Sequence, residues 1–184
     1  MNRSSIILVL VLILFAATPV QADKLGSLTK NKSEVAFDDM IALWKAEKNE
    51  LTVSMFPSKL SAEERNEILG GKSVFFTISG KTSPDQNRWR WYPYGEVTLR
   101  FKEKKEPKID NLDAIVVTLY GAEKQNHTDN LSIYHFEKKF EKYISSLNID
   151  TQNKSFGFKL KGPYELGDSK FQIDLSPSGS IADK

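Results

Sequence analysis

The sequence predicts a mainly β fold, either an antiparallel β-sandwich or an open barrel, with one or two short helices. Three observations carry this prediction. Several segments alternate apolar and polar residues with a period of two, which is typical of half-buried strands. Turn-like stretches separate these segments, without the regular strand–helix alternation of a parallel α/β protein. A helical pattern is favoured in two segments, from Ser61 to Leu69 and from Tyr134 to Leu147.

The N-terminus has the order of regions found in a secretion signal. Arg3 is the only charged residue before an apolar run of 12 residues that ends at Ala17. A membrane-spanning helix needs about 20 residues, so an uncleaved anchor is the less favoured alternative. Small residues before and at Ala22 indicate cleavage there. We therefore expect a signal peptide over residues 1–22 and a periplasmic or secreted mature chain.

The mature chain fits one domain by its length. Residues 23–33 are polar and show no periodicity, so we expect a flexible lead-in there. Residues 34–184 are then a single β-rich domain. No second long apolar stretch follows the leader, so we expect no transmembrane segment in the mature chain. Oligomeric state is left open.

The strand segments have an apolar face and a second face that is polar in most of them. The β-branched and aromatic content of these segments supports the prediction. They cover residues 51–55, 74–78, 96–101, 114–120, 156–161 and 171–175. Six or more short strands in one domain suit a sandwich or an open barrel.

The segment around residues 40–44 is ambiguous. Met40, Ile41 and Trp44 lie on one helical stripe together with Phe37. The same residues can instead form a strand that pairs with residues 51–56 across a short turn. We favour the hairpin, because the second strand is clear and the connection has ordinary hairpin length.

The first helix has clear start and stop signals. Ser61 and Glu64 are spaced as a capping box, in which each side chain satisfies a backbone N–H at the helix start. Gly70 and Gly71 suit a helix C-terminus. The second helix, from Tyr134 to Leu147, is predicted because Phe136, Phe140 and Ile144 recur at helical spacing.

Composition excludes several kinds of protein. The chain has no cysteine, so it has no disulfides and no thiolate chemistry, and its formal net charge of +2 argues against a dedicated nucleic-acid binder. The two histidines, His127 and His135, have no further His or Cys at ligand spacing, so we assign no metal site and no cofactor.

We find no catalytic motif that fits its context. The stretch from Gly71 to Ser73 resembles the end of a phosphate-binding loop, but it leaves a helix and enters a predicted strand, which is the wrong order. The nearest carboxylate clusters are Asp38 with Asp39 and Asp110 with Asp113. The sequence does not show whether any two acids meet as a hydrolytic pair. We assign no catalytic residue, and the chain is more consistent with a non-enzyme.

The densest unusual segment lies just before a predicted strand. It contains two arginines and four aromatic residues within seven positions, and these residues are Arg88, Trp89, Arg90, Trp91, Tyr92 and Tyr94. Such residues stack on sugars, pair through cation–π contacts and dominate protein interfaces. The alternative is that Trp89 and Trp91 anchor the core while the arginines face solvent. We take the six residues as the candidate binding site.

Together these features predict an exported, non-enzymatic binding or accessory domain that recognises a protein or glycan of the cell envelope. Two alternatives stay open. One is a small secreted hydrolase that uses carboxylates, and the other is a structural or assembly protein of the envelope that pairs through a sheet edge.

Overall fold

The computed structural model describes residues 25–74, 93–123, 126–134, 142–166 and 169–183. Within these residues the chain forms one α-helix, α1 (Ala62–Leu69), and eleven strands. The strands are β1 (Gly26–Lys30), β2 (Ser33–Phe37), β3 (Asp39–Lys45), β4 (Glu50–Phe56), β5 (Tyr94–Phe101), β6 (Leu112–Glu123), β7 (Asn126–Tyr134), β8 (Ile144–Asp150), β9 (Ser155–Leu166), β10 (Ser169–Leu175) and β11 (Ser178–Ala182). The prediction of a mainly β protein is confirmed.

Hydrogen bonds join the strands in the order β2-β1-β10-β9-β11-β3-β4-β5-β6-β7, and β8 pairs with β9. All pairs are antiparallel except β11 with β3. Among the described strands no pairing closes β7 onto β2, so the sheet is not a barrel. Instead β2 packs across β4, β5 and β6. The single sheet folds over into two layers, which is consistent with a β-sandwich or an open barrel. Layer A contains β2, β1, β10, β9 and β8, and layer B contains β3 to β7.

One long, interrupted strand connects the two layers. β10 and β11 pair with β9 in a single register, with Leu175 opposite Leu160 and Ser178 opposite Gly157. The interruption lies at Ser176 and Pro177, yet the Phe158 N–H still donates to the Pro177 carbonyl at 3.1 Å. On its other side, β10 pairs with β1 and β11 pairs with β3. The segment formed by β10 and β11 therefore joins layer A to layer B while it stays hydrogen-bonded to β9 along its length.

The core lies between the layers and follows the alternation of the strands. Phe37, Leu51, Val97, Leu160 and Ile173 are fully buried in one apolar cluster. Burying a side chain of this size contributes roughly 1.5–3 kcal/mol, so the cluster is the main stabilising feature.

Gly95 in β5 is required where the layers meet. A Cβ at this position would lie 2.7 Å from the Phe37 ring. The absence of a side chain therefore allows the close approach of β2 to β5.

The predicted helix from Ser61 to Leu69 is present. Ser61 is its N-cap, and both hydrogen bonds of the capping box with Glu64 are formed. On the opposite side of β4 from the main core, Ile68 packs in a second cluster with Ile41, Phe56 and Tyr94. Among the described residues, no helix is long and apolar enough to cross a membrane.

The second predicted helix, from Tyr134 to Leu147, is wrong at both of its described ends. Tyr134 is the last residue of β7, and Ile144 to Leu147 belong to β8. Residues 135–141 lie outside the described part. The register with β9 shifts between Ile144 and Ser146. This extra residue lets Ile144 and Leu147, three positions apart, both pack on the core, which produced a helix-like spacing.

The expected flexible lead-in over residues 23–33 also needs correction. Residues 26–30 form β1, which pairs with both β2 and β10. Leu28 and Lys30 are buried and alternate with the half-buried Ser27 and Thr29. This strand was missed because it is short and carries a single strongly apolar residue.

The favoured hairpin over residues 40–56 is confirmed. β3 and β4 are antiparallel neighbours, with Trp44 opposite Leu51 and Ala42 opposite Val53. The connection includes Asn49, which takes a left-handed conformation and donates from its side chain to the Lys102 and Lys105 carbonyls. Of the other predicted strands, 96–101, 114–120, 156–161 and 171–175 are confirmed. Most of the segment 74–78 lies outside the described residues.

Candidate functional site

Of the six predicted binding residues, the structure describes Tyr94. Arg88, Trp89, Arg90, Trp91 and Tyr92 lie outside the described residues. Tyr94 is the first residue of β5, and its side chain is only 6% exposed. It therefore anchors the start of β5 and offers little surface of its own to a ligand.

Tyr94 belongs to an aromatic cluster on the outer face of layer B. Its ring stacks on that of Tyr120 of β6, with centroids 4.2 Å apart and planes 9° from parallel. Among the described residues, the Phe56 ring is its second aromatic neighbour, with centroids 6.3 Å apart. The two tyrosines meet because they are direct partners in the β5–β6 register. They form a rigid stacked pair at the point where the chain enters β5.

Polar residues continue from this cluster along β4 and β5 on the same face. Glu50, Thr52, Ser54, Glu96 and Thr98 form what we call the polar ladder. Thr52 and Thr98 are register partners whose hydroxyls lie 3.4 Å apart, and Ser54 donates to Glu96 at 3.4 Å. Cross-strand pairs of this kind stabilise a sheet.

Glu50 closes the far end of the polar ladder. It is 5% exposed and forms ion pairs with Lys45 and Arg100, each at 3.3 Å. Thr52 also donates to it at 3.5 Å. A buried carboxylate is stable only when it is paired and hydrogen-bonded in this way. Its charge is therefore compensated within the protein.

Glu96 lies in a different environment. Burial raises the pKa of the Glu96 carboxyl, whereas Lys45 and the hydrogen bond from Ser54 oppose that rise and the Glu50 charge adds to it. Its side chain remains partly accessible. Since burial disfavours the charged form, the Glu96 carboxyl is protonated more readily than a fully hydrated one, and it can then donate as well as accept a hydrogen bond.

The tyrosine pair is held in its neutral form. Burial raises the pKa of Tyr94, and the neighbouring Tyr120 and Glu96 raise it further. Burial also raises the pKa of Tyr120, to which Glu96 contributes. Both phenols therefore stay protonated across the physiological range and serve as hydrogen-bonding groups.

The carboxylate cluster at Asp38 and Asp39 is now partly explained. Arg65 of α1 donates to both Asp39 carboxylate oxygens at 2.7 Å, and the Leu60 N–H donates to one of them at 2.8 Å. Arg65 also donates to the Met40 carbonyl at 3.0 Å. Asp39 thus fixes α1 on the sheet.

Sequence reasoning missed Glu50 and Glu96 as a group. The interactions that join β4 to β5 link residues more than 40 positions apart, such as Ser54 with Glu96 and Glu50 with Arg100. The alternation of β4 and β5 predicts that these residues are on polar faces, but only the strand register brings the two faces together.

The chain matches no protein-family model, no curated protein and no solved structure. Its function therefore has to be inferred from the residues themselves.

Proposed function

We propose that this protein is an exported, non-enzymatic binding or accessory domain that recognises a protein or glycan of the cell envelope through a surface that includes residues 88–94. One observation carries the proposal. Tyr94, the last residue of this segment, is anchored on the outer face of layer B by stacking on Tyr120. Gly95 and Glu96 follow it directly in β5.

The chemistry of the segment supports a binding role. Arg and Trp contribute disproportionately to binding energy at interfaces, and Trp rings also stack on sugars and pair with cations. Glu96, with its raised pKa, supplies a hydrogen-bonding group beside the anchored end. The neutral tyrosines add no charge to be desolvated when a ligand binds.

The ion pairs of Glu50 favour binding over hydrolysis. A hydrolytic carboxylate pair needs two acids that can reach a substrate bond. Glu50 is buried and compensated by both Lys45 and Arg100. This leaves Glu96 as the accessible acid of the polar ladder, and a single carboxylate suits ligand recognition better than acid–base cleavage.

Export is part of the proposal. Cleavage after Ala22 would remove no described strand, since β1 begins at Gly26. We expect the protein from an envelope or culture fraction to begin at Asp23, as measured by intact mass. A full-length mass in the cytoplasmic fraction would contradict export.

The binding surface is tested by substituting its two tryptophans. We expect Trp89→Ala and Trp91→Ala to reduce capture on a glycan array, or of a partner from envelope extract, by at least about tenfold, the equivalent of about 1.4 kcal/mol. Trp89→Phe and Trp91→Phe are the matched controls and should keep most of the binding. Circular dichroism should show all four variants folded.

Two results would contradict this assignment. Unfolding of either Ala variant would show that its tryptophan is a core anchor. Undiminished capture by both folded Ala variants would place the binding surface elsewhere.

A further inference from the structure

A groove crosses the outer face of layer A, on the opposite side of the two-layer fold from the polar ladder. It takes three consecutive residues from each of three neighbouring strand segments, residues 146–148, 157–159 and 176–178, and has a volume of about 610 Å³. This volume lies in the range of ordinary ligand sites, about 300–1,000 Å³. We call it the β9 groove, because β9 forms its centre.

Two sequence features make this face concave. Gly157 lies between Asn148 and Ser178 in the strand register, so the middle of that row has no side chain. Pro177 interrupts the long strand opposite Phe158. Because proline has no N–H, it cannot return a hydrogen bond to the Phe158 carbonyl. The floor therefore has open space above Gly157, and beside it the Phe158 carbonyl lacks the N–H donor that a strand residue at position 177 would supply.

Five of the nine lining residues have polar side chains, and the other four are Leu147, Gly157, Phe158 and Pro177. Within the described residues, the side chains of Ser146, Asn148, Lys159, Ser176 and Ser178 form no hydrogen bond or ion pair. Four of these residues lie on the paired strands β8, β9 and β11, and Ser176 lies in the interruption before β11. Neighbouring strands are about 4.8 Å apart, so the groups spread over roughly 10 Å. A ligand that used them all would need several polar groups of its own.

The charge of the groove is positive. Lys159 is exposed, and among the residues that the structure describes it is the one ionisable residue of the lining. The nearest lysine along β9, Lys161, differs because it is paired with Asp174 at 3.3 Å. An ammonium surrounded by hydroxyl and amide groups favours an anion that also carries hydroxyls, since charge-assisted hydrogen bonds are the stronger ones.

We infer that the β9 groove binds an acidic saccharide, with Lys159 on its carboxylate or sulfate and the Ser and Asn side chains on its hydroxyls. A single inorganic anion would use only the Lys159 end of the groove. A peptide would need pockets for apolar side chains. The apolar lining residues Leu147, Phe158 and Pro177 are buried or half-buried, and the exposed lining residues are Ser146, Asn148, Lys159 and Ser178. The inference concerns a site separate from residues 88–94 and does not depend on the function proposed for them.

The test is titration of the ¹⁵N-labelled protein, followed by amide chemical shifts. The probes are trigalacturonate and a sulfated chondroitin tetrasaccharide, with galactotriose and inorganic phosphate as comparisons. We expect at least one acidic saccharide to shift the amides of residues 146–148, 157–159 and 176–178 in a saturable way. Galactotriose and phosphate should bind at least about tenfold more weakly, roughly 1.4 kcal/mol.

Two substitutions locate the site. Lys159→Ala should weaken saccharide binding about tenfold, and the matched control Lys161→Ala, on the same face of β9, should leave it unchanged. Gly157→Ala should also weaken binding, because the added methyl occupies the floor. The fold should tolerate that methyl, since it would meet the Ser178 Cβ at 3.4 Å, an ordinary contact distance.

Four results would overturn the inference. The first is that neither acidic saccharide shifts the groove amides. The second and third are that galactotriose, or phosphate alone, binds as tightly as the acidic saccharides. The fourth is that Lys159→Ala and Lys161→Ala weaken saccharide binding to the same extent.

Discussion

The two outer faces of the two-layer fold carry similar polar residues but use them differently. On layer B the residues of the polar ladder bond to one another and to neighbouring side chains. Ser54 bonds to Glu96, Thr52 to Thr98, and Glu50 to its two cations. On layer A the polar side chains of the β9 groove have no described protein partner. Both sets occupy alternate strand positions, so a period-two pattern does not distinguish them.

The difference shows which polar residues the fold itself requires. A buried polar group that lacks a partner costs about 1–3 kcal/mol, so the buried Glu50, Thr52 and Ser54 have to be matched by residues on the neighbouring strands. The exposed residues of the β9 groove are hydrated and carry no such requirement. Packing therefore accounts for the three buried residues of the ladder, whereas folding does not require the polar residues of the groove.

The largest effect should come from removing the buried charge of the ladder. We expect Glu50→Ala to lower the free energy of unfolding by about 2 kcal/mol. This is below the usual 3–5 kcal/mol for breaking a buried pair, because Lys45 and Arg100 are 33% and 49% exposed and can be hydrated. Urea denaturation measures the change. Glu103→Ala, at a carboxylate that is 86% exposed, is the matched control and should have no effect. Equal stability of both variants would contradict the structural role of the ladder.

The same contrast explains how much the sequence could predict. The α1 capping box lies within four residues and was predictable, as were strands with clear alternation. The β8 strand was not, because its bulge places Ile144 and Leu147 on one face at helical spacing. The pairing of Glu50 with Arg100 depends on register between residues 50 positions apart. The β9 groove depends on register as well, since Gly157 forms a floor only because it is flanked by Asn148 and Ser178.

A second effect depends on pH and concerns Glu96. Its pKa is higher in the folded protein than in the unfolded chain, where it is about 4.3, because burial disfavours the carboxylate. The folded state therefore holds the proton more tightly. The stability contributed by this group is fully present below the unfolded pKa and is lost as pH rises through the folded pKa. We expect Glu96→Gln, which cannot ionise, to gain stability relative to the wild type as pH rises over this range.

Urea denaturation of both proteins at a series of pH values from 3.5 upward measures this difference. Glu34→Gln, which makes the same change at an exposed position on the outer face of β2, is the matched control. A stability difference between Glu96→Gln and wild type that stays constant with pH would show that burial does not disfavour the Glu96 carboxylate.

The smallest effect on stability should come from the β9 groove. We expect the double variant Ser146→Ala with Lys159→Ala to unfold within about 0.5 kcal/mol of the wild type, as is usual for exposed residues without partners. Urea denaturation at pH 7 is the measurement. A loss above about 1 kcal/mol would mean that these residues stabilise the sheet and that the two faces do not differ as described. Unchanged stability of the double variant, combined with reduced saccharide binding by Lys159→Ala, would separate ligand recognition from folding at this face. The Lys159 side chain would then affect saccharide binding and not the free energy of unfolding.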